Sequence, residues 1–332
     1  MRVSVVIPVR DAANLLPTCL DQLLQQDYPH ELMEVIVVDG MSRDATVQIA
    51  KEYPLERMAR QVLECPSPGR SQGLNMAIRA ATGEAICRLD ARTRIPSNYI
   101  SACVQALAST GADNVGGRQV PESTTPTQIG IGLAMSHPFG AGNAQFRIAK
   151  TSGFVDTVYL GFFRRGVFDR VGWFDETANV ISEDSDMNQR IREAGGKIYL
   201  LADLHARYEP RGSLREQAAL YYRYGGARAG NILKHGNITA WRQLAAPGLV
   251  AALVLLLVTC WFSVSARVLL LVLAGLYFIV DGLVSLQLTA RARRFDAFPH
   301  MFAAFPCMHI GYGLGFWRKI LLKECENRPW KG

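Results

Sequence analysis

The sequence predicts an α/β domain, with a mainly parallel sheet flanked by helices, followed by an α-helical membrane segment. Three observations carry this. Short apolar runs alternate with helix-spaced segments over the first hundred residues, those runs are continuous rather than alternating, and beyond residue 246 charge disappears for long stretches. Strand–helix alternation is the pattern of a parallel sheet with right-handed crossovers. Continuous Val and Ile runs mark strands buried on both faces.

The elements follow in order. "VSVVIP" (3–8) is a strand, and "PVRDAANLLPTCLDQLL" after it places Leu16, Leu20, Leu23 and Leu24 at helix spacing. "VIVVD" (35–39) is a second strand ending in Gly40, and "RDATVQIAKEY" begins with residues suited to a helix N-terminus. In "RSQGLNMAIRAATGE", Leu74, Ala77, Ile78 and Ala81 form a helix stripe closed by Gly83. "AICRL" (85–89) then runs into Asp90.

Ligands of such sheets sit outside the carboxyl ends of the strands. Here those ends present Arg10 and Asp11, Asp39, and Asp90. A single acid there is explained by capping the next helix, worth about 1 kcal/mol. Three converging strand ends favour a binding site. No GxGxxG follows the first strand and "PSPGRSQG" (66–73) is no Walker loop, so neither usual phosphate-binding device is used.

From Pro247 the composition changes. "PGLVAALVLLLVTCWFSV" (247–264) holds no charged residue, and "VLLLVLAGLYFIVDGLVSLQL" (268–288) is long enough to return through a bilayer core of roughly 30 Å. Spans are expected at about 247–265 and 268–288. Residues 298–317, with two Pro and two His, read as an interfacial segment or a third span. The alternative is a buried hairpin of a soluble protein, but nothing else in the sequence covers so much apolar surface.

The first residues already read as a strand, with no leader pattern, so the large domain is expected to stay where it is made. Lys234, Arg242, Arg291, Arg293 and Arg294 flank the open side of the hairpin and only Arg267 lies in its tip. That charge bias puts the domain on the cytoplasmic face of the inner membrane. The net charge of +7 over 332 residues suits an anionic lipid surface, and no basic stripe interleaved with aromatics points to nucleic acid. Seven scattered Cys, without CxxC, read as small apolar residues in a reducing compartment.

Five segments now stand together: "SVVIPVRDAANLL", "VIVVDGMSRDAT", "PGRSQGLNMAIRAATGE", "CRLDARTRIP", and "YLGFFRRGVFDRVGWFDE" followed by "ISEDSDMNQRIREAGGKIYL". In order and spacing they resemble the family 2 glycosyltransferases, and most nearly the succinoglycan-type, membrane-anchored branch of bacterial polysaccharide assembly. The resemblance implies a GT-A fold over residues 1–235, with a nucleotide-sugar-binding half (1–110) and an acceptor half (111–235). A membrane-associated helical region (236–332) follows. It also implies a nucleoside-diphosphate sugar donor and inversion at the anomeric carbon. Carried over by position, Pro8, Arg10, Asp11 and Asp39 would contact base and ribose, and Arg70 would lie near the nucleotide. Asp90 opens the motif that usually reads Asp-x-Asp and holds a divalent metal, and Asp184, beside Glu183, would be the catalytic base.

Inverting transfer needs one carboxylate to take the acceptor's proton and positive charge on the leaving diphosphate. Glu183 and Asp184 open an amphipathic helix, where acids also suit any helix start. The metal motif departs from the pattern: it reads Asp90-Ala91-Arg92. Either Asp90 still holds Mg or Mn, or Arg92 itself takes phosphate charge through its bidentate fork. "YYRYGGAR" stands where relatives often carry a QxxRW-like signature, so Arg223, Tyr224 and Arg228 are candidates for diphosphate or acceptor contact.

The expectation is a membrane-anchored inverting glycosyltransferase. It would move a hexose, glucose from UDP-glucose by preference, to a polyprenyl-diphosphate-linked saccharide in exopolysaccharide or cell-surface glycan assembly. Two rivals are a polyprenyl-phosphate sugar transferase and a non-catalytic nucleotide-sugar-binding partner of an assembly complex. Intact Asp39, Asp90 and Asp184 speak against the second.

Overall fold

The computed structural model describes all residues except 68, 177–182, 237, 239–241 and 323–332. Its strands are β1 (Val3–Val9), β2 (Met33–Asp39), β3 (Ala59–Glu64), β4 (Ala85–Arg88), β5 (Thr93–Arg94), β6 (Asn114–Pro121), β7 (Gly153–Phe154), β8 (Phe162–Arg164) and β9 (Ile198–Tyr208). Helices α1 (Leu16–Leu24), α2 (Thr46–Glu52), α3 (Arg70–Ala80) and α4 (Tyr99–Thr110) come first. Next are α5 (Pro126–Met135), α6 (Pro138–Ala141), α7 (Gln145–Ile148), α8 (Gly166–Val171), α9 (Glu183–Glu193) and α10 (Leu214–His235). Last come α11 (Arg242–Thr259), α12 (Val264–Arg291) and α13 (Phe298–Leu322).

The chain divides into two compact units. The first holds Met1–Val120, Ala144–Asn179 and Glu183–Tyr208, and the second includes Pro121–Asn143 and Glu209–Gly332. In the first, the strands form a mixed sheet in the order β3-β2-β1-β4-β8-β6-β9-β5, with β7 on β9. β1, β2, β3 and β4 pair in parallel, and β8 joins β4 antiparallel. The path leaves β1 towards β2 and β3 and then returns through α3 to β4 on its other side. That reversal opens a crevice at the carboxyl ends of β1 and β4.

Strands β1, β2 and β4 are buried on both faces, as their continuous apolar runs predict. Val3, Val5 and Ile7 pack under Leu16, Leu20 and Leu23 of α1 and Ile100, Cys103 and Leu107 of α4. On the opposite face Val6, Ile36 and Val38 meet Leu74, Ala77 and Ile78 of α3, with Phe163, Phe168 and Met187. Gly83 closes α3 where the chain runs against β1: a Cβ there would lie 2.7 Å from the Ser4 nitrogen. The short antiparallel strands β5, β7 and β8 leave no periodic signal, since two or three residues cannot show one.

In the second unit α13 packs closely on α10. A Cβ on Gly225 or Gly315 would come within 1.9 Å of a carbonyl oxygen on the facing helix, so only glycine permits this approach. Trp317 of α13 donates its indole N–H to the Pro247 carbonyl of α11 at 2.8 Å. The expected spans fall on α11 and α12. Among the described residues α12 alone is long and apolar enough to cross a membrane; its 28 residues reach roughly 42 Å. One face of α12 is nevertheless buried and polar: Asp281, Ser285 and Thr289, one turn apart, have no solvent exposure. The Ser285 hydroxyl donates to Asp281 at 3.0 Å and Thr289 donates back to the Ser285 carbonyl at 2.7 Å.

Candidate functional site

The carboxyl ends of β1 and β2 are stitched into one ledge. Val9 and Asp39 are register partners, and the Gly40 N–H closes the ends by donating to the Val9 carbonyl at 2.8 Å. Asp11 N donates to the Ser42 hydroxyl at 2.8 Å, Asp11 Oδ1 accepts from Arg43 N at 2.8 Å, and Ala12 N donates to Thr46 Oγ1 at 2.8 Å. Asp11 and Met41 hold left-handed backbone, with φ of 47° and 64°. Such geometry is strained for residues with a Cβ and clusters at ligand sites.

Asp39 is 3% exposed. Its Oδ2 accepts from Ser42 N at 2.9 Å, while Oδ1 is buried without a hydrogen-bond partner. A buried acceptor left open is rare enough to require an explanation. Arg10 and Asp11 are exposed on the same ledge, 3.7 Å apart, with Pro8 half-buried beneath.

A second cluster forms around Asp90. Its Oδ1 lies 3.6 Å from Arg88 Nη2 and its Oδ2 lies 3.8 Å from Arg70 Nη1. Glu183, first residue of α9, lies 2.7 Å from Arg88 Nη2 and 3.5 Å from Arg70 Nη1. α3, which carries Arg70, is docked by Asn75: its amide donates to the Phe174 carbonyl at 2.8 Å and accepts from Phe174 N at 3.0 Å. Strand end, helix start and helix start thus converge, bringing together Arg70, Asp90 and Glu183.

The electrostatics of the three acids differ. Burial pushes Asp90 and Glu183 up, but Arg70 and Arg88 outweigh it and hold both below the ordinary carboxylate range. Asp184, half-buried, goes the other way: burial and then the Glu183 charge raise it. Its Oδ1 accepts from its neighbour's amide, Ser185 N, at 2.8 Å. Of two adjacent carboxylates, one is held below the ordinary range and the other is raised above it. That division is how paired acids acquire separate acid–base roles.

Arg92 is exposed and makes no ion pair with Asp90 or Glu183; the cations at the acids are Arg70 and Arg88. Sequence reasoning missed Arg88. Its signal was available: a lone cation two residues before Asp90 inside an otherwise apolar strand. Arg223 is exposed on α10, with Tyr224 and Arg228 half-buried; all three belong to the second unit. Residues 181–182 of the segment that leads into Glu183 lie outside the described residues.

No three His, Cys, Asp or Glu among the described residues group as a metal cage. A magnesium-type ion does not need one, since it is usually held by one or two carboxylates plus substrate phosphates and water. Asp90 fits that part: its Oδ1 is buried without a hydrogen bond. Arg92 does not fit, as a guanidinium has no lone pair to give.

With this geometry in hand, known proteins give a consistent match. The glycosyl transferase family 2 model matches residues 4–172. Succinoglycan biosynthesis protein ExoA of Rhizobium meliloti (strain 1021) is 26% identical over 96% of this chain and 94% of its own length. A dolichyl N-acetyl-alpha-D-glucosaminyl phosphate 3-beta-D-2,3-diacetamido-2,3-dideoxy-beta-D-glucuronosyltransferase of Methanococcus voltae is 22% identical over 94% of this chain and 95% of its own. Mannosyltransferase PcManGT from Pyrobaculum calidifontis, solved in complex with GDP-Man and Mn2+, matches with a TM-score of 0.62 at 21% identity, over 92% of this chain and 87% of that one. S. aureus TarS 1-349 in complex with UDP-GlcNAc matches with a TM-score of 0.53 at 17% identity, over 92% and 91%. These likenesses fix the fold as GT-A. The family match covers β1 through α8, including the strand ends that carry Asp39 and Asp90, and this chain belongs to glycosyl transferase family 2 and is a glycosyltransferase.

Proposed function

We propose that this chain is an inverting hexosyltransferase of polysaccharide or glycan assembly, using Asp184 as its catalytic base. The observation that carries the reading is the division of labour at the start of α9. Glu183 is held ionised by Arg88 at 2.7 Å, while Asp184 beside it is raised.

In this reading Asp39 Oδ1 accepts from the nucleotide base, and Pro8, Arg10 and Asp11 form the ledge against base and ribose. Arg70, whose side chain is 54% exposed, turns to the diphosphate. Asp90 would hold a divalent cation, which when bound neutralises charge on the departing phosphate oxygens. Asp184 takes the proton of the acceptor hydroxyl as that oxygen attacks the anomeric carbon from the face opposite the nucleotide. The glycosidic bond to the diphosphate breaks and configuration inverts. Arg223, Tyr224 and Arg228 remain candidates for acceptor contact.

The relatives support the finer assignments. One is named for succinoglycan biosynthesis and another for transfer to a dolichyl-phosphate-linked sugar, which favours a lipid-linked saccharide acceptor. The solved neighbours carry GDP-Man with Mn2+, and UDP-GlcNAc; we favour UDP-glucose here. Residues 1–235 act as the catalytic domain in this reading and 236–332 as its membrane-associated region. The α11–α12 hairpin supports an anchor: Leu257, Val258, Leu269 and Leu271 are more than half exposed, as are Trp261 and Phe262 at the turn. Flanking cations favour the cytoplasmic face of the inner membrane.

The test is sugar transfer by the detergent-extracted full chain to a membrane-lipid extract, across UDP- and GDP-sugars, with Mn2+ or Mg2+ and with EDTA. Turnover of one UDP-hexose, abolished by EDTA, is expected. Turnover that persists in EDTA would remove the cation from Asp90. Nucleotide binding with no turnover of any sugar would overturn the catalytic reading.

A further inference from the structure

Arg88 is the last residue of β4, and its side chain is 5% exposed. Ile86 and Cys87 of that strand, and Leu89 just after it, are apolar and fully buried. Burying a guanidinium costs several kcal/mol unless its N–H groups and charge are matched. Here they are matched only in part. Nη2 lies 2.7 Å from Glu183 and 3.6 Å from Asp90, while Nε and Nη1 are buried with no hydrogen-bond partner. For stability alone an apolar pair in place of both Arg88 and Glu183 would serve as well.

The geometry indicates what the cation does. Three carboxylates, Asp90, Glu183 and Asp184, crowd one buried place, and all three feel the Arg88 charge. Arg70, the other cation, is 54% exposed and spans Asp90 and Glu183 at 3.8 and 3.5 Å. An exposed guanidinium at those distances is free to follow an incoming anion. Arg88 lies under the site and cannot. Its short contact joins the rigid end of the parallel sheet to the first residue of α9, and Asp184 is the next residue along that helix.

We infer that Arg88 is a positioning residue that ties β4 to the start of α9 and so fixes Asp184 over the reaction site. The inference rests on the reading of Asp184 as base. Arg88 need not touch donor or acceptor; it acts through Glu183. An ion pair of this kind does two separable things, since it cancels the Glu183 charge and it holds Glu183 in place. The second is the claim.

The experiment measures kcat, donor KM and Tm for the full chain in detergent. The donor is the sugar nucleotide that the wild type turns over, and a membrane-lipid extract is the acceptor. Variants are Arg88→Met, Arg88→Lys, the double Arg88→Met/Glu183→Gln, and Asp184→Asn as reference. Arg88→Met is expected to lower kcat at least tenfold with donor KM changed less than about threefold, the signature of lost positioning rather than lost binding. Arg88→Lys recovers part of kcat, because an ammonium still reaches Glu183 but without the fixed fork. The double variant, which removes the Glu183 charge together with its partner, recovers Tm while kcat stays low. If Arg88→Met does not fold, the lysine and double variants carry the same test.

Wild-type kcat in Arg88→Met overturns the inference. So does a double variant that recovers both Tm and kcat, because charge cancellation would then be the whole role. A rise in donor KM with kcat unchanged would make Arg88 a donor ligand and also overturns it. Asp184→Asn separates the two readings: if it retains wild-type kcat, the base assignment itself fails, whereas an inactive Asp184→Asn beside an active Arg88→Met refutes only the tether.

Discussion

β2 carries an acid near each end, and the two have opposite fates. Glu34, 2% exposed near the strand's start, is satisfied without a cation among the described residues. Its Oε1 accepts from Ser4 Oγ at 2.5 Å, Thr82 N at 2.6 Å, Thr82 Oγ1 at 2.9 Å and Gly83 N at 3.1 Å. Burial pushes that carboxyl up, but the hydrogen bonds win and hold it below the ordinary range. Asp39, five residues on, keeps one buried oxygen open, and at the end of β4 two Arg88 nitrogens and one Asp90 oxygen do the same. One end of the sheet closes its polar groups on itself. The other leaves them unsatisfied, which is stable only if the remainder of the fold bears the cost. The satisfied acid belongs to the architecture, and the unsatisfied ones are the candidates for the chemistry.

Replacing Glu34 is expected to show the largest effect on stability. Glu34→Ala orphans the Thr82 and Gly83 amides and destabilises by about 2–4 kcal/mol, read as a fall in Tm, with kcat of the folded fraction unchanged. A matching loss of kcat would erase the contrast between the two ends. Asp39→Asn is expected to leave Tm within a degree or two and to weaken UDP binding about 10–100-fold, the worth of one charge-assisted hydrogen bond. Isothermal titration reads this, and unchanged affinity would remove the base from Asp39.

Glu183→Gln sharpens the comparison on a finer scale. The Glu183 charge raises Asp184, so its removal lowers Asp184 and extends the ionised form to more acidic conditions. The acid limb of the kcat–pH profile is expected to move to lower pH. A move to higher pH would mean that Glu183 acts on the site through something other than its charge.

The strand-end acids were legible because they interrupt long apolar runs, and a carboxylate at the end of "VIVVD" has few structural uses. Asp39 and Asp90 are therefore marked by pattern alone, whereas the places of Arg70, Glu183 and Asp184 came from the family resemblance. The Arg88–Glu183 contact was not legible, because it joins residues far apart in the chain and depends on where α9 starts. Sequence pattern offered Arg92 as a cation for the diphosphate and passed over Arg88 beside Asp90. Strand geometry explains the difference: Arg88 is two residues from Asp90 on the strand side and shares its face, whereas Arg92 lies beyond the turn and is exposed. The close α10–α13 crossing was hidden too, since Gly225, Gly311 and Gly315 show their necessity only when the facing carbonyls are in place.

The most direct measurement compares nucleotide affinity and sugar transfer in Asp184→Asn with those of the wild type. The account predicts UDP affinity within about threefold of wild type and transfer lower by roughly 10²–10⁴-fold, the range of a lost general base. Transfer at the wild-type rate, with UDP bound equally well, would contradict it.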